Sequence, residues 1–104
     1  MFQVLVALAD GEKHGYAIIK EVARRTEGKV HLRAGTLYSV IKRFVADGLL
    51  EESAERPDPA LDDDRRRYYR LTERGRAVAV AEAQRLTETL AQARLKLAIG
   101  ARRP

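Results

Sequence analysis

The sequence predicts a mainly α fold with one small β-hairpin, an α+β arrangement of three short helices, two strands and a long terminal helix. Three observations carry this expectation. Apolar residues recur three and four apart in three N-terminal segments, and the pattern then changes to short extended runs at 49–55 and 66–71. Beyond residue 78 a heptad of alanine and leucine takes over.

The first segment, Met1 to Ala9, places Val4, Leu5 and Leu8 at helical spacing and stops at the turn dipeptide Asp10-Gly11. A second helix begins near His14 or Gly15, because Gly15, Ile18, Ile19 and Val22 share a face and Gly28 terminates it. His14 reads as a hydrogen-bonded turn residue that fixes this helix start. The third helix carries the stripe Leu37, Ile41, Phe44 and Val45, and Gly48 stands where a left-handed cap is expected. Leu49 to Glu55 and Arg66 to Leu71 are the strands, joined by a loop holding Pro57, Pro59 and the acidic run Asp62, Asp63, Asp64. Tyr69 and Leu71 alternate with Tyr68 and Arg70, as one buried strand face requires. Thr72 can cap the last helix and Glu73 complements its positive end. That helix runs from Glu73 to about Ile99, with Arg94 and Lys96 near its negative end and Gly100 closing it.

Within the last helix Ala79, Ala83, Leu86, Leu90, Ala93 and Leu97 form a heptad seam. At ~1.5 Å per residue the helix is on the order of 40 Å long, more than the preceding residues can cover. A second copy of the chain is the simplest cover; packing of the seam on the first helix is the competing reading, and both can hold together. The expected organisation is therefore an N-terminal unit at 1–72, a dimerisation helix at 73–100 and a disordered tail at 101–104.

At 104 residues the chain fits one domain. Twenty basic against fifteen acidic residues leave a net charge of +5, which favours a polyanionic partner. Cysteine is absent, excluding disulfides and thiolate metal sites. His14 and His31 lie on different segments without acidic neighbours at ligand spacing, so neither a metal nor a cofactor is expected. The apolar run at the start lacks a basic leader and the roughly 20 residues that cross a bilayer, so a membrane partner is not expected and a cytoplasmic setting is. No paired carboxylates, nucleophile with base or phosphate-cradling glycine loop occurs at usable spacing, and an enzyme is not expected.

Three helices followed by a hairpin with a long loop is the order of a winged helix-turn-helix. Residue by residue, the chain resembles the PadR family of transcriptional regulators, in its compact subgroup with one terminal helix. His14-Gly15-Tyr16-Ala17-Ile18 opens the second helix as in that family, and Gly35-Thr36-Leu37-Tyr38 opens the third. Asp47-Gly48-Leu49-Leu50 leads into the wing, and Arg67-Tyr68-Tyr69-Arg70-Leu71-Thr72-Glu73-Arg74-Gly75 matches the second wing strand and the start of the last helix. The resemblance implies a homodimer acting on double-stranded DNA as a repressor, with two recognition helices roughly 34 Å apart on a pseudo-palindromic operator. It also implies a small-molecule effector near the dimer interface; nothing aromatic follows Tyr69, so that pocket would be aliphatic or borrow Phe2.

Beside the resemblance, the residues themselves assign an interface. With its apolar stripe buried, the third helix turns Thr36, Tyr38, Ser39, Lys42 and Arg43 outward. Free N–H groups at its start, by Gly35, can meet phosphate, and Lys42 or Arg43 can reach guanine O6 or N7. Thr36 and Tyr38 suit phosphate contacts that position without reading sequence. Tyr16 resembles the family's backbone-contacting tyrosine, a half-buried core residue being the competing reading. Arg65, Arg66 and Arg67 could enter a minor groove or clamp phosphates, although Asp62 to Asp64 beside them neutralise part of that charge; a solvated loop is the competing reading. Arg33-Ala34 replaces the Ser-Pro pair usual in the family, removing a helix cap and offering Arg33 to phosphate. The first helix looks clipped relative to the family, whose members tend to begin several residues earlier. A winged-helix protein-interaction module without specific DNA binding is the alternative function.

Overall fold

The helical periodicity of the first half produces α1 (Phe2–Ala7), α2 (Gly15–Arg25) and α3 (Ala34–Ala46). The computed structural model describes residues 1–53 and 67–97. Pro57, Pro59, the acidic run, Arg65, Arg66, Ile99, Gly100 and the tail therefore lie outside the described residues.

His14 does fix the start of α2: its Nδ1 accepts the Ala17 N–H at 3.1 Å, satisfying one of the first-turn donors that a helix leaves open. At the other end the Gly28 N–H donates to the Ala23 carbonyl at 2.7 Å, with Gly28 in the left-handed region. The N-cap of α3 is Arg33, which makes no side-chain cap hydrogen bond. Arg33→Ser is accordingly expected to stabilise the fold by about 1 kcal/mol, read as a rise of several degrees in the thermal midpoint.

The sheet corrects the expected two-stranded hairpin. Strands β2 (Leu50–Glu52) and β3 (Tyr68–Leu71) pair antiparallel, Leu50 opposite Leu71 and Glu52 opposite Tyr69. A third strand, β1 (Lys13–His14), pairs with the other edge of β3, giving the order β1-β3-β2. Two residues are too few to show alternation, and their pairing is a long-range event. Both hairpin strands are also shorter than expected, and Arg67 precedes β3 without joining it.

Val4, Leu5 and Leu8 of the first segment, Ile18 and Val22 of α2, Leu37 and Ile41 of α3, and Leu50 and Tyr69 of the sheet make one core. Val45 does not join it. Expected to be buried, it is 41% exposed, and Phe44 is half-buried. Each four-residue step advances about 40° around a helix, so the row Leu37, Ile41, Val45 winds out of the core. Glu21 is the converse case, a charged residue only 9% exposed. Arg25 meets it at 2.5 Å and Lys13 at 3.5 Å, and Lys13 also bonds Asp10 at 2.6 Å. This network ties β1 to α2, and the Lys13 hydrogen bond holds the Asp10 carboxyl below its ordinary value.

The last helix, α4 (Glu73–Leu97), spans 25 residues, roughly 37 Å. Thr72 caps it as expected, accepting the Gly75 N–H at 2.9 Å while its hydroxyl donates to the Gly48 carbonyl at 2.6 Å. Gly48, with φ +78°, supplies the left-handed turn that brings its carbonyl there. The Arg76 guanidinium donates to the Ala9 carbonyl at 2.9 Å, and Ala79 packs on the core. Only the first turns of α4 are held this way. Leu86, Leu90 and Leu97 are 40%, 50% and 67% exposed in the single chain. Among the described residues no helix is long and apolar enough to cross a membrane.

Candidate nucleic-acid interface

The outward side of α3 is polar and open. Arg33, Gly35, Thr36, Ser39, Lys42 and Arg43 are all exposed, and a methyl at Gly35 would meet nothing within 4 Å. The first-turn amides of α3 have no intrahelical acceptor and face the same end. Lys42 and Arg43, one residue apart, diverge by about 100° around the axis. They can address different parts of one ligand.

Tyr38 departs from the outward set. It is half-buried, and its ring lies against Gly15 at the start of α2, where a methyl would stand 2.9 Å from Tyr38 Cζ and closer still to Oη. The contact locks the first half of α3 to the start of α2, one residue before Tyr16. Tyr16 itself is 56% exposed, which sets aside its reading as a core residue. Its ring stacks with His14 at a centroid separation of 6.5 Å, and His14 meets the Tyr68 ring edge-on at 5.4 Å. An aromatic chain thus joins the base of the wing to the start of α2. Lys20, one turn beyond Tyr16, holds its ammonium 5.1 Å from the Tyr16 ring centroid. Sequence reading passed over Lys20, although a cation four residues after an exposed tyrosine is the spacing that brings the two together.

The wing is less basic than its three arginines imply. Residues 49–71 hold seven acidic and five basic residues, whereas residues 1–48 hold five acidic and eight basic. Across the described part of the hairpin Arg70 bonds Glu51 at 2.8 Å, and Arg67, just before β3, lies 3.5 Å from Glu52. Partial neutralisation of Arg67 thus has a partner across the hairpin in Glu52. Arg65 and Arg66 lie outside the described residues. Among the described residues no group of three or more His, Cys, Asp or Glu side chains could hold a metal ion.

A profile of the PadR-like family of transcriptional regulators matches residues 4–81, which take in all three short helices, the wing and the start of α4. The chain belongs to this family. Being PadR-like, it is a transcriptional regulator and not an enzyme. It is 39% identical over 89 residues to the transcriptional regulator Rv3488 of Mycobacterium tuberculosis, covering 86% of this chain and 76% of the relative. It is also similar to the structure of a transcriptional regulator from Clostridium thermocellum, with 26% identity, a TM-score of 0.69 and coverage of 88% and 84% of the two chains. The structure of Bacillus subtilis PadR in complex with operator DNA shares the fold at 17% identity and a TM-score of 0.66, over 79% of this PadR-like chain and 45% of that one.

Proposed function

We propose that the chain binds double-stranded DNA sequence-specifically as a homodimer and represses transcription from a pseudo-palindromic operator. The observation that carries this reading is the open polar side of α3, held by Tyr38 against Gly15 at the start of α2, where Tyr16 is also exposed. Lys42 and Arg43 reach base edges in the major groove, while Tyr16, Thr36, Ser39, Arg33 and the amides near Gly35 hold phosphates. Tyr38 acts from behind by fixing α3 against α2. Arg67, with Arg65 and Arg66, serves the flanking backbone. The operator complex of Bacillus subtilis PadR is the precedent for this fold on DNA.

Dimerisation follows from α4. Within its seam, Ala79, Ala83, Leu86, Leu90, Ala93 and Leu97, Ala79 packs on the core of its own chain, whereas Ala83, Leu86, Leu90 and Leu97 are exposed. Burying a leucine contributes about 1.5–3 kcal/mol, so a partner helix along the free part supplies a strong drive to associate. On this reading residues 1–72 contact DNA and the helix from 73 holds two copies in register. The groove between α1 and α4, lined by Phe2, Val6, Leu71, Ala79, Val80 and Ala83, encloses about 180 Å³. Ligand pockets start near about 300 Å³, so an effector site there would take its remaining walls from the partner.

The test is selection of duplexes from a random pool by the purified protein, followed by titration of Lys42→Ala with Arg43→Ala. The double variant is expected to lose about 2–5 kcal/mol of operator binding, at least thirty-fold in affinity, and to lose its sequence preference. Unchanged preference removes this face from the interface. The acidic balance of the wing favours one rival, a winged helix that engages a protein partner; it predicts that no duplex is enriched and that DNA affinity collapses with modest salt.

A further inference from the structure

Arg70 and Arg67 of the described wing residues are engaged by Glu51 and Glu52, and Arg25 and Lys13 are engaged by Glu21. Lys20 and Arg24 are different. Both are exposed, and neither has a carboxylate partner among the described residues. Tyr16, Lys20 and Arg24 stand four apart on α2 and form one row, which begins next to Gly15, the residue against which Tyr38 of α3 packs. The ring of Tyr16 orients the Lys20 ammonium without neutralising it. Orientation without neutralisation is what an anion contact needs.

We propose that Lys20, extended by Arg24, is a phosphate-binding strip along α2 that grips the DNA backbone flanking the groove entered by α3. The proposal rests on the DNA-binding reading above and adds to it the residues that supply much of the salt-dependent affinity. α3 carries the sequence preference, and the α2 row carries charge. Tyr16 thereby has two tasks, a hydroxyl at the backbone and a ring that aims Lys20. A phosphate contact carries no base information, so this row sets how tightly DNA is held and not which DNA.

The experiment is an operator titration across about 50 to about 200 mM KCl, using the duplex selected by the wild-type protein, with Lys20→Gln, Lys20→Arg and Arg24→Gln. Each neutralised phosphate contributes about 0.9 to the slope of log K against log salt, so Lys20→Gln should flatten the slope by about two per dimer. The affinity advantage of the wild type over Lys20→Gln then shrinks roughly ten-fold across that range. Arg24→Gln should flatten the slope likewise, Lys20→Arg should retain it, and the preferred sequence should be unchanged in all three. Arg85→Gln on α4, whose guanidinium is engaged by Glu82, should keep the wild-type slope. A wild-type slope in Lys20→Gln overturns the proposal, and so does a slope lost equally in Lys20→Arg, which would make Lys20 a packing residue. Failure of the wild type to enrich any duplex overturns the DNA-binding reading instead. The thermal midpoint, unchanged across the series, separates these outcomes from unfolding.

Discussion

Gly75→Ala is expected to destabilise the protein by about 2–3 kcal/mol, lowering the thermal midpoint by roughly 10 °C or more. Gly75 is the buried residue of α4, and a methyl there would stand 2.9 Å from the Leu49 carbonyl carbon and closer still to its oxygen. Backbone cannot rotate away as a flexible side chain can. The same place is pinned by the Thr72 hydroxyl on the Gly48 carbonyl and by the Thr72 N–H on the Leu49 carbonyl at 3.1 Å. Admitting the methyl therefore means prying α4 from the turn that starts the wing. Circular-dichroism melting checks it, with Gly35→Ala as the contrast. Gly35 is also helical but faces open space, so alanine there should stabilise by about 0.5–1 kcal/mol. Equal responses from the two glycines would mean that α4 does not approach Leu49 this closely.

On the proposed homodimer, Leu86→Glu combined with Leu90→Glu is expected to leave a monomer and weaken operator binding by about 100-fold or more. Two linked modules gain about 10²–10⁴ over one through effective concentration, and that gain is lost when the link is broken. Both leucines are exposed in the single chain, so the three-helix core should survive the charges. Sedimentation velocity reads the association state, and the thermal midpoint should cease to depend on protein concentration. A dimer that persists with unchanged affinity would move the interface off the α4 seam.

Much of this arrangement was legible before any coordinates. The helix starts and stops were carried by local chemistry: His14 at the start of α2, the left-handed Gly28 and Gly48, and Thr72 before α4. Each acts on amides or carbonyls within a few residues, so sequence neighbours suffice to place it. The missing cap at Arg33 was legible for the same reason. The exposed polar side of α3 followed from periodicity, but its membership did not. Tyr38 counts as outward on a helical wheel, yet the absence of a side chain at Gly15 opens a slot that draws its ring inward. Val45 counts as inward, yet the winding of its row carries it past the core.

Local order along the chain decided the kind of protein this is: the sequence of elements, their caps, the heptad of α4 and the residues that mark the family are all short-range patterns that any single stretch displays. Tertiary structure decided which charges remain available. The strand at Lys13–His14, the burial of Glu21 and its capture of Lys13, and the pairing of Arg67 and Arg70 across the wing depend on how elements meet, whereas Glu21 with Arg25 and Tyr16 with Lys20 are contacts within α2. A cation looks the same in sequence whether or not a carboxylate lies near it, and much of that pairing is made by residues brought together only when the chain folds.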